Sequence, residues 1–177
     1  MAHSTFSKEE KKFWQKQYHI EKSSDIFPDW TLFKSIDGNE DDAFFYFLTL
    51  RVTSITDLFL KESLITDKGI AYLCNFKELK HLYLRNHSAI TNKSIPYFNK
   101  MACLESLNIT KTKITLTDLS NSLNNQSLKE VFLDSEENET DLEEKAFILK
   151  ERMPNCNIYL DCSFTTDSFG NIEKPIF

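Results

Sequence analysis

Glycine and proline are scarce in this sequence of 177 residues, which holds only 3 glycines and 4 prolines. A phosphate-binding loop needs several closely spaced glycines, and neither GxGxxG nor GxxxxGK[ST] occurs here. The sequence therefore gives no support for a nucleotide-binding site of either kind. Long apolar runs are also missing. None approaches the roughly 20 residues that a membrane-spanning helix requires, so we expect no direct membrane span.

Cysteine is present without a metal-binding pattern. No CxxC pair occurs, and no histidine is spaced to complete a zinc site. We therefore expect reduced thiols, no metal, no cofactor and an intracellular, reducing location. The N-terminal residues carry early acidic side chains and no apolar signal-peptide core, which favours the same location. The four cysteines are Cys74, Cys103, Cys156 and Cys162.

The balance of charge is acidic, with a formal net charge of −6. Nucleic-acid binding depends on a basic surface that displaces counterions from phosphates. We therefore do not expect a nucleic-acid partner.

An apolar frame of the form L-x-x-L-x-L recurs along the chain. Its copies begin at residues 55, 79, 104, 128 and 155, so successive starts are 24, 25, 24 and 27 residues apart. A constant period of this length is the mark of a repeat architecture. The copies are Ile55-x-x-Leu58-x-Leu60, Leu79-x-x-Leu82-x-Leu84, Leu104-x-x-Leu107-x-Ile109, Leu128-x-x-Val131-x-Leu133 and Asn155-x-x-Ile158-x-Leu160.

A second pattern follows each of the first three frames. An isoleucine and a threonine precede residues with helical apolar spacing, at Ile65-Thr66, Ile90-Thr91 and Ile114-Thr115. Threonine before such a run is a helix N-cap, because its oxygen accepts a hydrogen bond from an otherwise unpaired backbone N–H. Each unit is thus predicted to be a strand, a turn and a helix. One unit cannot bury its own apolar face, so neighbouring units must stack.

This pattern resembles the cysteine-containing subfamily of leucine-rich repeats, which is familiar from the repeat halves of F-box proteins. The resemblance covers about Ile55 to Cys162, with Cys74 and Cys103 at the predicted ends of repeat helices. It implies an α/β leucine-rich-repeat solenoid, in which a curved parallel sheet of about five strands is backed by helices. We divide the chain accordingly into an N-terminal helical cap (1–54), the repeats (55–162) and a C-terminal cover segment (163–177).

Both ends show signs of covering a core. Ser7 and Glu10 form a capping-box pattern that predicts an amphipathic helix over about 7–21, and Asp41 and Asp42 precede a second apolar helix. At the other end, apolar residues predict that the tail folds back. They are Phe164, Phe169, Ile176 and Phe177.

The residues between the core positions of the strands face outward on the concave side of such a sheet. They form a mostly aromatic middle column and a flanking column that changes from basic to acidic. Exposed aromatic residues are enriched in protein interfaces, and a charge gradient orients a partner. The middle column is Phe59, Tyr83, Asn108, Phe132 and Tyr159, and the flanking column is Lys61, Arg85, Thr110, Asp134 and Asp161.

These columns predict binding of another protein or a multi-subunit complex through the concave face. The predicted partner-binding residues are the whole middle column with Lys61, Arg85, Asp134 and Asp161. One alternative stays open. Aromatic residues also favour β-strands for packing reasons, and a terminal segment could lie across this face and cover them.

Catalysis is not predicted. Asp57, His81 and Ser106 face the same side of the predicted sheet, but the sequence offers no nucleophile elbow and no glycine-rich oxyanion hole. We therefore expect a non-catalytic chain with no small-molecule substrate.

A narrower resemblance rests on the two ends. Trp14-Gln-Lys-Gln-Tyr18 and Ser35-Ile36-Asp37 are similar to the N-terminal part of mitochondrial ATP synthase subunit s. Met153-Pro-Asn-Cys-Asn-Ile158 is similar to the close of the distal membrane arm assembly component of respiratory complex I. The resemblance implies a subunit or assembly factor on the matrix face of the mitochondrial inner membrane; without it, we expect a cytoplasmic protein. The alternatives are a substrate-recognition adaptor of a ubiquitin ligase and a stand-alone bacterial binding or immunity protein.

Overall fold

A computed structural model describes residues 5–136 and 141–176. The fold is α/β, with six parallel strands in one sheet and helices behind it. The strands follow one another across the sheet in chain order, from β1 to β6. Adjacent strands are joined by crossover segments that carry the helices, which explains why all the pairings are parallel.

The strands are β1 (Asp29–Ile36), β2 (Ser54–Lys61), β3 (His81–Arg85), β4 (Ser106–Asn108), β5 (Glu130–Leu133) and β6 (Asn157–Leu160). The helices are α1 (Lys8–Tyr18), α2 (Asp42–Thr49), α3 (Asp67–Leu73), α4 (Ile95–Phe98), α5 (Leu116–Ser122) and α6 (Leu142–Arg152). Two short 3₁₀ helices lie at Ser23–Asp25 and Asn92–Ser94.

Each of the five predicted frames contains a strand, and their leucine-type positions form the core. Ile55, Leu79, Leu104 and Leu128 are each at most 1% exposed. This burial accounts for the fixed period, because each side chain packs on the equivalent side chains of the neighbouring units.

One strand was not predicted. β1 lies inside the segment that we expected to be a helical cap, so the sheet has six strands rather than about five. Trp30 pairs with Ile55, Phe33 with Leu58 and Ser35 with Leu60. The segment thus repeats the same frame 25 residues before residue 55. It escaped prediction because tryptophan, phenylalanine and serine replace the leucines.

The predicted helix N-caps are present. Thr66 and Thr91 accept hydrogen bonds from the backbone N–H groups of Lys68 (3.2 Å) and Lys93 (3.3 Å). Thr115 forms a reciprocal capping box with Asp118. The caps satisfy N–H groups that the first helical turn would otherwise leave unpaired.

A polar ladder joins successive units at these caps. Asp42 accepts hydrogen bonds from the backbone N–H (2.9 Å) and hydroxyl (2.7 Å) of Thr66, one unit later. Asp67 repeats the contact with Thr91 at 2.8 and 2.7 Å, and it also accepts from the hydroxyl of Ser94 at 2.5 Å. Each aspartate therefore ties the start of its own helix to the start of the next.

The N-terminal end of the core is covered by α1, as predicted. Ser7 and Glu10 form the expected capping box. Trp14 is fully buried, and the ring of Phe13 packs edge-on against Phe44 of α2 with their centroids 5.2 Å apart. Arg51 donates from Nε to Glu10 Oε1 at 2.7 Å, which fastens α1 to the loop after α2.

The tail after β6 turns back on itself. The Glu173 N–H donates to the Thr165 carbonyl (2.9 Å), and the Ile176 N–H donates to the Ile158 carbonyl in β6 (2.8 Å). The last strand thus has its outer edge partly paired by the chain's own C-terminal segment. Phe177, which we included in the predicted cover, lies outside the described residues.

The ladder predicts a stability effect. Asp67→Ala removes three accepted hydrogen bonds at a part-buried position and should lower the free energy of unfolding by about 2–3 kcal/mol. Urea denaturation followed by circular dichroism measures the change. The control is Asp29→Ala, which loses only a 3.3 Å contact from Thr53 at an exposed position and should change stability by about 0.5 kcal/mol or less. Equal losses would contradict a structural role for the ladder.

The Glu10–Arg51 pair predicts a pH effect. Burial alone would raise the pKa of Glu10, but hydrogen bonds from Arg51 and Ser7 outweigh it and hold the pKa below the ordinary 4.5. The stabilisation is therefore complete above pH 4.5 and is lost as the pH falls through the lower folded value. Glu10→Gln should cost about 1–3 kcal/mol at pH 7 and clearly less at pH 3. Glu9→Gln, at an exposed neighbouring position, is the control, and a pH-independent loss would refute the mechanism.

Candidate interaction surface on the outer face of the sheet

We call the side of the sheet opposite the helices the outer face. The pairing register places the predicted middle column in one row across five adjacent strands. The row is Phe59, Tyr83, Asn108, Phe132 and Tyr159.

The row contains two stacked aromatic pairs. The rings of Phe59 and Tyr83 lie 4.2 Å apart with their planes inclined by 12°. Those of Phe132 and Tyr159 lie 4.7 Å apart and inclined by 13°. Parallel strands in register put the side chains one above another, and flat rings fill that spacing well. Asn108 separates the two pairs.

The C-terminal segment covers the second half of the row. Asn108 donates from Nδ2 to the carbonyl of Ser163 at 2.7 Å. The ring of Phe164 lies 6.3 Å from that of Tyr83. Because this segment leaves β6 and reaches β4 and β3, it must pass over β5. Asn108, Phe132 and Tyr159 are only 0%, 2% and 6% exposed.

We therefore withdraw Asn108, Phe132 and Tyr159 as partner-binding candidates. We expected the whole column to face a partner, but the chain's own tail buries Asn108, Phe132 and Tyr159. Internal cover by a terminal segment, the alternative that we left open, applies to this half of the face. Phe59 and Tyr83 remain half-buried and reachable.

The acidic end of the flanking column is also engaged within the chain. Asp134 accepts from the backbone N–H of Lys111, and Asp161 accepts from the N–H (2.9 Å) and hydroxyl (2.7 Å) of Ser135. Thr110 is buried and donates to Asn108. These carboxylates hold the loops after the strands, although Asp161 is itself exposed.

The accessible aromatic and aliphatic side chains of these strands lie on the first three, and we call the outward-facing residues of β1, β2 and β3 the open half. Leu32 and Ile36 of β1 are each 53% exposed. In the register of β1 and β2, Leu32 lies beside Asp57, Lys34 beside Phe59 and Ile36 beside Lys61. The open half is Leu32, Lys34, Ile36, Asp57, Phe59, Lys61, His81, Tyr83 and Arg85.

Sequence reasoning missed Leu32, Lys34 and Ile36 because it missed β1. The available signal was the spacing. A frame 25 residues before Ile55 would have placed all three on the outer face.

The open half carries three cations, Lys34, Lys61 and Arg85, with the carboxylates of Asp57, Glu62 and Asp37 close by. Arg85 forms no ion pair with any described residue, and its buried Nε has no hydrogen-bond acceptor among them. Its guanidinium lies 5.8 Å from the ring centroid of Phe164. Lys61 lies 3.3 Å from the exposed carboxylate of Glu62 and also interacts with Asp37, and Lys34 is exposed. A solvent-exposed pair of this kind contributes little energy, so these cations stay available to a partner.

The other polar groups of the face pair with each other. His81 Nδ1 contacts Asp57 Oδ1, whereas Ser106 is 2% exposed and donates to the hydroxyl of Tyr83 at 3.5 Å. Burial raises the pKa of Tyr83, which keeps its phenol neutral at pH 7. The structure thus brings Asp57 and His81 together but turns Ser106 toward Tyr83.

The cysteines are all free thiols. Burial raises the pKa of Cys156 to about 12, so this thiol stays protonated and unreactive. Across residues 5–136 and 141–176, no helix combines the length and apolar character that crossing a bilayer requires.

Comparison with known proteins adds no family. No protein-family model matches the sequence, and no curated protein matches it significantly.

The contact between Asn108 and the tail predicts how the cover can be released. Asn108→Asp keeps the shape but replaces the donor with an oxygen that repels the Ser163 carbonyl. The backbone N–H groups of Glu173 and Ile176, which bond inside the tail and to β6, should then exchange with deuterium about tenfold faster. Amides of β3 serve as the internal control. Equal acceleration throughout would mean that Asn108 supports the sheet instead of the tail.

Proposed function

We propose that this protein is a non-catalytic leucine-rich-repeat module that binds another protein through the open half of its sheet. The observation that carries the proposal is the half-buried, stacked pair of Phe59 and Tyr83, flanked by the exposed side chains of Leu32 and Ile36. Stable monomers rarely leave aromatic and aliphatic side chains together on a flat strand surface, and such clusters commonly mark interfaces.

The repeat assignment is part of the proposal. It is supported by the registered frames, by the N-capped helices that follow them and by strands that add in chain order. In a solenoid of this kind the outer face would be the concave one. A rigid sheet presents its side chains with little loss of conformational entropy on binding, which favours recognition of a partner.

We propose further that the partner is a multi-subunit complex, with this chain as a subunit or assembly factor. The support is the narrower resemblance to ATP synthase subunit s and to the complex I assembly component. The structure places several of its residues in the core: Trp14, Met153 and Cys156 are at most 2% exposed. They bear on packing more than on partner choice, so the ligase adaptor and the bacterial binding protein remain alternative outcomes of the test below.

The test is affinity purification from an extract of the native source with wild type and with Phe59→Thr/Tyr83→Thr. Threonine keeps the strand propensity while removing the rings. The variant should fold, as judged by circular dichroism and thermal melting. The amount of partner recovered with it should be at least about tenfold lower than with wild type. The identity of that partner then distinguishes a mitochondrial complex from a ligase scaffold.

The matched control is Phe147→Thr/Ile148→Thr on α6, whose side chains are 51% and 40% exposed on the helical layer. It removes similar apolar surface and should retain the partner. Loss of the partner in the control, with retention in Phe59→Thr/Tyr83→Thr, would move the interface to the helices and refute the proposed site.

A further inference from the structure

The loops after β2, β3 and β4 share an equivalent position, three residues beyond the last apolar residue of the L-x-x-L-x-L frame. Two of these loops place a small hydroxyl there, Ser63 and Thr112. The loop between them places His87 there, and His87 pairs with Thr112 in an isolated parallel bridge. The histidine is only 2% exposed. A titratable ring thus occupies a buried position where both neighbouring units carry a hydroxyl.

The imidazole of His87 joins its own loop to the loop before it. The backbone N–H of Ser63 donates to Nε2 at 3.1 Å, and the Ser63 hydroxyl lies 2.9 Å from the same nitrogen. A backbone N–H can only donate, so Nε2 must present a lone pair. The ring is therefore neutral in this contact and holds its proton on Nδ1.

A second proton on the ring is incompatible with the contact. An Nε2–H of His87 would point at the backbone N–H of Ser63, and two donors repel each other. The Ser63 hydroxyl can rotate to accept from Nε2–H, but the backbone N–H then loses its acceptor. Protonation would also leave a positive charge at a buried position, which costs further free energy.

The surroundings of the ring act in the same direction. Burial lowers the pKa of His87 below the ordinary 6.5, and this effect outweighs the nearby backbone carbonyls of Leu84 and Arg85 and the carboxylate of Glu62, which raise the pKa. Since the unfolded chain keeps an ordinary pKa, protons bind the unfolded form more tightly than the folded form.

The charge that acts on the ring comes from the loop after β2. Among the described residues, Glu62 is the charged side chain that shifts the pKa of His87. Its carboxylate is also held by Asn86 Nδ2 at 2.8 Å, lies 3.3 Å from Lys61 Nζ and interacts with Asp37. Its attraction for a protonated ring is therefore shared with other groups.

We propose that His87 is an acid-sensitive latch between the loops after β2 and β3. At neutral pH the uncharged ring accepts from the Ser63 N–H and holds the two loops together. Protonation releases that N–H and opens the contact. Because these loops continue directly from Lys61 and Arg85, opening the latch loosens one end of the open half.

Acid should weaken the latch over a defined range of pH. Its contribution to stability is complete above pH 6.5, the ordinary value, and is lost as the pH falls from 6.5 toward the lower folded value. The Glu10–Arg51 pair responds only below pH 4.5, so the two effects are separate.

Amide hydrogen exchange of the Ser63 N–H in the full-length protein, at pH 7.5 and 5.5, tests the latch. After correction for the intrinsic exchange rate at each pH, opening should be at least about threefold more frequent at pH 5.5 in wild type. His87→Gln should abolish this increase, because its amide oxygen can accept from the same N–H and does not titrate. The control is His81→Gln, which removes a histidine that contacts Asp57 on the outer face and should keep the increase.

Two outcomes of the exchange experiment would overturn the proposal. One is equal opening of wild type at both pH values, or an increase that persists in His87→Gln. The other is loss of the increase in His81→Gln, which would assign the response to the Asp57–His81 pair.

Nuclear magnetic resonance of the imidazole nitrogens tests the latch in wild type, without relying on a variant that folds. His87 should show the Nδ1–H tautomer at pH 7.5 and should titrate with a midpoint below 6.5. An Nε2–H tautomer would mean that Nε2 does not accept from Ser63. A midpoint at 6.5 or above would mean that the folded chain does not favour the neutral ring, and either result would overturn the proposal.

Discussion

Each strand–helix unit of this protein carries apolar side chains that only its neighbours can bury. A strand of three to eight residues and a helix of one to three turns cannot close a core alone. The period of 24 to 27 residues, the parallel register and the Asp42 and Asp67 ladder all follow from the need to stack one unit on the next. The same need leaves two open ends, and how each end is closed determines which surface stays free.

The sequence was most informative where one unit copies another. Five strands, the N-caps at Thr66, Thr91 and Thr115 and the helix opened by Ser7 could be predicted because each depends on residues close in the chain. β1 was missed because it keeps the period but not the leucines. Trp30 and Phe33 fill the end of the core, where the aromatic residues of α1 and α2 leave room for large rings.

The candidate site was predicted only in part, and the reason is also physical. The strand alternation placed Phe59, Tyr83 and Phe132 on one face correctly, since that depends on local geometry. Whether each is exposed depends on a tail more than 50 residues beyond Asn108. No local pattern encodes such a contact. The hydrogen bond from Asn108 to the Ser163 carbonyl corresponds to no recognisable pattern in either segment of the sequence. The burial of the residues in the row therefore could not be assigned from the sequence.

The two ends are closed from opposite sides of the sheet, and this explains the position of the open half. α1 closes the first end from the helical layer, where Phe13 and Trp14 pack on the aromatic residues of α2, so nothing in this contact covers the outer face of β1. The tail closes the last end from the outer face and continues to β3. Had both ends been closed from the helical side, the aromatic row would be open throughout. Had both ends been closed from the outer face, no part of the aromatic row would remain accessible. The accessibility of Phe59 and Tyr83 is therefore a consequence of how the two ends of this short stack are closed.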